Sequence, residues 1–142
     1  SIRWWKDHAK GRFYGFDTFE GLPESWHLYL KGKMLTEVPR IENALFMKGT
    51  FQKTLPEFLD HFGRFEGRIV IHLDADLYSS TLFVLTTMDR YIKKGDIIIF
   101  DEFMCPGDEF RAWNDYLSAY KRKFTLIAHR NNYYHVAFEN IS

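Results

Sequence analysis

The sequence predicts an α/β sandwich: a mostly parallel sheet between helices, closed by a C-terminal antiparallel hairpin. Three observations carry this. Two short runs, residues 68–73 (RIVIHL) and 96–100 (DIIIF), are almost wholly apolar, as strands covered on both faces inside a parallel sheet must be. Between them, residues 80–91 set Leu82, Leu85, Met88 and Tyr91 at three-residue steps before Gly95, so strand, helix and strand form a βαβ crossover. Strand-like and helix-like stretches alternate along the remaining chain, the signature of this class.

The other elements follow in order. A helix begins at Ser1, whose hydroxyl is suited to the N-cap, with Trp4, Trp5 and His8 on one face and Gly11 beyond its end. Residues 12–16 (RFYGF) make a strand that stops at Asp17. Residues 18–39 show no clear periodicity and carry Gly21, Pro23, Gly32 and Pro39, which makes them a long loop of the kind that often serves function. Residues 44–48 form a second strand, closed by Gly49. Leu55, Phe58, Leu59 and Phe62 have helical spacing over residues 54–62, with Pro56 in the first turn. A further helix covers residues 108–120, and strands at 124–128 and 133–138 flank a turn at Asn131 and Asn132.

Composition excludes several classes. At 142 residues the chain suits one domain, residues 1–142, and buries roughly two-thirds of its unfolded surface. An aromatic content of 18% rules out disorder. Nineteen basic residues balance nineteen acidic ones without clustering, so no nucleic-acid or membrane partner is expected. The single cysteine, Cys105, excludes an internal disulfide and a cysteine-based zinc site. With no membrane-length apolar run and no signal peptide, the expected setting is the cytoplasm.

Acidic residues stand at three strand ends: Asp17 after RFYGF, Asp74 and Asp76 after RIVIHL, Asp101 and Glu102 after DIIIF. In open α/β sheets the ligand crevice lies beyond the carboxyl ends of the strands. Five carboxylates around one crevice repel, and a cation, ligand hydroxyls or protonation relieves them. Taken singly, each acid is better explained by capping the following helix or turn, or by a solvated strand end; neither explains all three strand ends together. Asp17 suits the two hydroxyls of a ribose. Asp74, Asp101 and Glu102 supply the hard oxygens that Mg²⁺ or Ca²⁺ prefers, and Asp76 is placed to accept a substrate proton. Gly49, Thr50 and Phe51 offer a flat seat on which Phe51 either stacks a ring or simply packs in the core.

The blocks YGFDTFEGLP (residues 14–23), KGTF (48–51) with TLP (54–56), HLDADLYSST (72–81) and IFDEF (99–103) occur in this order. Together they resemble the macrocin O-methyltransferase family, class I S-adenosylmethionine-dependent enzymes that act on sugar hydroxyls of small molecules. The resemblance implies a Rossmann-like methyltransferase sandwich, with S-adenosylmethionine and Mg²⁺ as cofactors and a small-molecule acceptor. It implies that Asp17, Gly49, Thr50, Phe51 and Asp74 hold the cofactor, that Asp74, Asp101 and Glu102 hold the metal, and that Asp76 is the general base. Where those enzymes carry two aspartates, Asp101 is followed here by the longer Glu102. The family's first strand and glycine-rich loop have no counterpart before Ser1. The implied sandwich lacks them at its N-terminus, which exposes two strand edges and a slot between them: either residues upstream of Ser1 supply the missing strand, or another chain, such as a second copy, fills the slot, or the sheet re-pairs.

Two rivals remain at this stage. Asp74-Ala75-Asp76 also resembles the D-x-D of nucleotide-sugar glycosyltransferases, and a non-catalytic domain associating through an exposed edge fits the missing strand. His72 is read as a satisfied core histidine. His129 and His135 lie near the closing hairpin with nothing to fix them at a crevice, and Trp26, His27 and Tyr29 belong to a packed surface loop.

Overall fold

The computed structural model describes residues 2–142; the N-cap expected at Ser1 lies outside them. The chain forms two compact units, Ser1–Glu57 and Phe58–Ser142.

In the first unit, α1 (Ile2–His8) precedes β1 (Phe13–Asp17) and β2 (Ala44–Lys48). The two strands pair in parallel, Phe13 opposite Ala44 and Asp17 opposite Lys48. The expected aromatic face of α1 is not a core face. Trp4 is 57% exposed and stacks on His8 at 4.3 Å, whose Nδ1 lies 2.7 Å from the Trp4 carbonyl. The long loop folds back on itself. Leu22 N–H donates to Lys33 O, Gly32 N–H to Leu22 O, and Trp26 and Tyr29 exchange both main-chain bonds. Phe19, Leu22 and Trp26 are buried as a result, so the loop is an ordered structure of its own.

Helix α2 (Phe51–Phe62) begins in the first unit and ends in the second. It starts three residues before the expected position, which puts Pro56 inside it instead of in its first turn. The Thr50 carbonyl accepts the N–H groups of Lys53 and Thr54 at 3.0 Å each, and this opens the helix. Leu55, Phe58 and Leu59 are buried, while Phe62 is 45% exposed.

The second unit contains β3 (Val70–Leu73), α3 (Tyr78–Met88), a 3₁₀ turn at Asp89–Tyr91, β4 (Ile97–Phe100), α4 (Glu109–Tyr120), β5 (Phe124–Arg130) and β6 (His135–Asn140). Its sheet has the order β3-β4-β6-β5. β3 and β4 are parallel, Val70 opposite Ile97 and Leu73 opposite Phe100; β4/β6 and β5/β6 are antiparallel. The hairpin turns through Asn131, Asn132 and Tyr133, all at positive φ, which asparagine tolerates best.

The doubly apolar runs were expected at the centre of a parallel sheet. β4 is central, with Ile98 and Phe100 fully buried. β3 instead forms an edge, and Val70 is 44% exposed because β4 is its sole partner among the described residues. β1 likewise pairs only with β2. The core of this unit is aromatic: Phe100 meets Trp113 edge-on at 5.2 Å, and Trp113 stacks on Phe138 at 4.9 Å. Buried Asp96 ties the lower end of the sheet, its two oxygens accepting the N–H of Ile69 at 2.9 Å and of Lys93 at 2.8 Å. No described helix is long and apolar enough to cross a membrane.

Candidate functional site

The predicted site residues fall into two groups, one in each unit. In the first, parallel pairing brings the ends of β1 and β2 side by side, and Gly49 N–H donates to the Asp17 carbonyl at 2.9 Å. Gly49 has φ +147°, and an added Cβ would stand 2.9 Å from the Thr54 methyl, so only glycine fits without displacement. The Asp17 side chain is exposed. Its Oδ1 accepts the N–H of Phe19 at 3.2 Å, an Asx-type turn that holds the carboxylate at the strand end. Asp17 lines a cavity of about 730 Å³ together with Arg3, Phe19, Glu37 and Arg40. Thr50 and Phe51 are occupied in starting α2, Thr50 through its carbonyl and Phe51 as the first helical residue.

In the second unit, β3 ends in Asp74 and Asp76, and β4 ends in Asp101 and Glu102. The capping explanation fails for them: α3 and α4 begin after Leu77 and Asp108, and neither has a side-chain cap. Asp76 sits at φ +58°, a left-handed turn that re-aims its side chain. Its carboxyl is pushed up to about 7, first by burial, then by a hydrogen bond to Glu102 and by the charges of Glu102, Asp74 and Asp101. Two carboxyls hydrogen-bonded to each other require one shared proton. Asp74 is also pushed upward, by partial burial and then by Asp101, with His72 acting in the opposite direction.

Several partners escaped the sequence reading. Tyr134 O–H donates to Glu102 Oε1 at 2.9 Å, and Glu102 Oε2 is buried with no fixed donor. His135 Nδ1 lies 3.0 Å from Asp101 Oδ1, and His72 Nε2 lies 3.7 Å from the same atom. His72 therefore belongs to this cluster and is not an inert core histidine. Glu109, the first residue of α4, is wholly buried. Its Oε1 accepts the N–H of Ala75 at 3.3 Å and its Oε2 that of Glu102 at 3.0 Å. Burial raises its carboxyl to about 8 against the lowering effect of those two bonds. Cys105 is shifted upward by burial and by Glu102, Asp108 and Glu109, which keeps the thiol protonated and unreactive.

The raised carboxyls have a consequence for stability. The folded state holds protons on Asp76 and Glu109 more tightly than the unfolded chain, where the ordinary values are 3.8 and 4.5. Their stabilisation is thus complete below about pH 4 and is lost as pH rises through 7 to 8. We expect a higher urea midpoint at pH 5.5 than at pH 8.5, and a smaller difference in Glu109→Gln. Equal midpoints at both pH values would contradict the upward shifts.

A family profile described as Macrocin-O-methyltransferase (TylF) matches residues 39–132, more than half of the chain. The chain belongs to the macrocin O-methyltransferase family. Among solved structures it is similar to CalS11, a calicheamicin methyltransferase, with 22% identity and a TM-score of 0.72 over 90% of this chain and 60% of that one. It is similar to the O-methyltransferase NovP, with 21% identity and a TM-score of 0.67 over 96% and 63%. The apo form of CalS11, described as TDP-rhamnose 3'-O-methyltransferase, gives 25% identity and a TM-score of 0.62 over 90% and 57%. These likenesses show a shared Rossmann-like methyltransferase fold, of which this macrocin O-methyltransferase family member spans about 60% of the relatives' length. No curated protein matches the chain significantly.

Proposed function

We propose that the protein transfers a methyl group from S-adenosylmethionine to a hydroxyl oxygen of a small molecule, with sugar hydroxyls as the leading acceptor class. The observation that carries this is the set of acids just beyond β3 and β4, where Tyr134 O–H donates to Glu102 Oε1 at 2.9 Å and His135 Nδ1 lies 3.0 Å from Asp101 Oδ1, in a chain of a methyltransferase family. The likeness to CalS11, a TDP-rhamnose 3'-O-methyltransferase, supports the acceptor class.

S-adenosylmethionine supplies a methyl carbon made electrophilic by its positive sulfur. The residues around Asp17 offer such a group an open depression of about 730 Å³, with the Asp17 carboxylate and Phe19 in its lining. Asp17 would accept the ribose hydroxyls, Gly49 and Thr50 would give the adenine a close approach to backbone, and Phe51 would lie against it. As the acceptor oxygen bonds to the methyl carbon, the carbon–sulfur bond breaks and its electron pair stays on sulfur. Asp76, once deprotonated, takes the hydroxyl proton. Tyr134 holds Glu102, the acid that raises Asp76, in place. Asp74, by the resemblance of its segment to the family's, would also contact S-adenosylmethionine.

For Mg²⁺ the donor chemistry of Asp74, Asp101 and Glu102 is right, since each offers hard carboxylate oxygens. Their spacing does not fit as it stands, because the three carboxylates do not bring their oxygens within 4.8 Å of one another. An ion contacts its ligands at about 2.1 Å, closer than these three carboxylates converge.

Calorimetry tests the cofactor assignment. S-adenosylmethionine should bind, and Asp17→Ala should weaken it by about 1–3 kcal/mol, the worth of hydrogen bonds to a charged acceptor. Equal affinity in the variant would remove Asp17 from the cofactor site. Preference for a UDP-sugar would favour glycosyl transfer instead.

A further inference from the structure

We propose that Glu109 is a positioning residue: a buried carboxyl staple that fixes the spacing between the two loops bearing the site's acids. This rests on the methyltransferase reading for its purpose, though not for its geometry.

The β3–β4 ladder ends at Leu73 opposite Phe100, and its last bond runs from Asp101 N–H to the Leu73 carbonyl at 3.0 Å. Beyond that point the two strand ends have no direct main-chain bond to each other among those the structure shows. The acids nonetheless follow immediately. Glu109 supplies the missing link from the start of α4. Its two oxygens take one N–H from each loop, Ala75 at 3.3 Å and Glu102 at 3.0 Å. Ala75 lies between Asp74 and Asp76, and Glu102 follows Asp101, so each stapled amide is itself, or adjoins, an acid-bearing residue.

An acid at a helix start ordinarily serves its own helix. Glu109 does not: both of its oxygens are used outside α4, and the side chain is wholly buried. Burying a carboxylate is costly unless its hydrogen bonds are made. Both are made here, to amides that would otherwise be left without acceptors. Two anchors from one rigid group set a distance, which a single bond cannot do. Catalytic groups need that kind of support, since small misplacements cost large factors in rate.

Glu109→Gln keeps the volume and one acceptor but turns an amide donor toward one of the two N–H groups. Glu109→Asp shortens the arm so that it cannot span both. In the protein carrying each variant, amide hydrogen exchange is followed at Ala75 and Glu102, with the β5–β6 hairpin as internal reference. We expect exchange to accelerate about tenfold at one of the two amides in Glu109→Gln and at one or both in Glu109→Asp, with the hairpin unchanged. In parallel, kcat should fall about tenfold while KM for S-adenosylmethionine stays within twofold. Unchanged exchange at the two amides, equal acceleration throughout the chain, or faster exchange with unaltered kcat would each overturn the proposal. If the unmodified protein transfers no methyl group, the functional reading fails, and the exchange data alone still decide whether the staple exists.

Discussion

Asp76→Asn should lower methyl transfer by about 10²–10⁴-fold, the usual contribution of a general base, while affinity for S-adenosylmethionine stays unchanged. The substitution isolates proton transfer. Asparagine is nearly isosteric and tolerates φ +58° better than almost any other residue, so the turn after β3 survives. What disappears is the ability to take a proton. Asparagine also donates to Glu102 without needing a shared proton, which relieves the repulsion between the two carboxyls. The variant should therefore be no less stable than the original protein above pH 7. That combination, an inactive but equally stable protein, separates loss of chemistry from loss of structure. The unsubstituted protein should show kcat/KM rising with pH through about 7, where Asp76 loses its proton. Measurable turnover in Asp76→Asn within a few-fold of the original would take the base role from Asp76.

The parts legible in the sequence were those written in local pattern. Apolar runs bounded by charge located β3 and β4 to within two residues, and helical spacing located α3 and α4, because burial acts on consecutive residues in those elements. The start of α2 was missed because Gly49 and Thr50 resembled a ligand seat, and because Pro56 normally marks a first turn. The fold of the long loop was invisible for a different reason. It rests on main-chain bonds such as Leu22 to Lys33, which leave no periodic pattern, although Gly21 at φ +83° is needed because a Cβ there would collide with the Lys33 carbonyl. The site divides the same way. Asp17, Asp74, Asp76, Asp101 and Glu102 stand out because an acid ending an apolar strand is conspicuous. Glu109, Tyr134 and His135 come from a helix start and a hairpin, and no local pattern tells where tertiary packing carries them. Arg3 and Arg40 reach the Asp17 cavity in the same unannounced way.

Asp89→Ala should cost about 2–4 kcal/mol of stability, a large loss for a polar site away from the proposed chemistry. Asp89 follows α3 and receives three groups. Tyr116 O–H donates to its Oδ1 at 2.8 Å, Arg122 Nε donates to Oδ1 at 2.8 Å, and Arg122 Nη2 reaches Oδ2 at 3.1 Å and the Asp89 carbonyl at 2.7 Å. The arrangement depends on the end of α4, where Lys121 adopts φ +56° and turns the chain so that Arg122 points back toward α3. Tyr116 is wholly buried, and its hydroxyl is pushed upward by burial and by the bond to Asp89. Truncating Asp89 leaves that hydroxyl without an acceptor and the guanidinium without its carboxylate, and an uncompensated partner is costlier than the pair is valuable. Asp89→Asn keeps an acceptor for Tyr116 and removes only the charge, so its loss should be about half as large. Urea unfolding at constant m-value measures both. If Asp89→Ala lies within about 0.5 kcal/mol of the original protein, typical of an ordinary surface change, the network ties nothing together. If the two variants lose the same amount, charge and not hydrogen bonding joins α3 to α4.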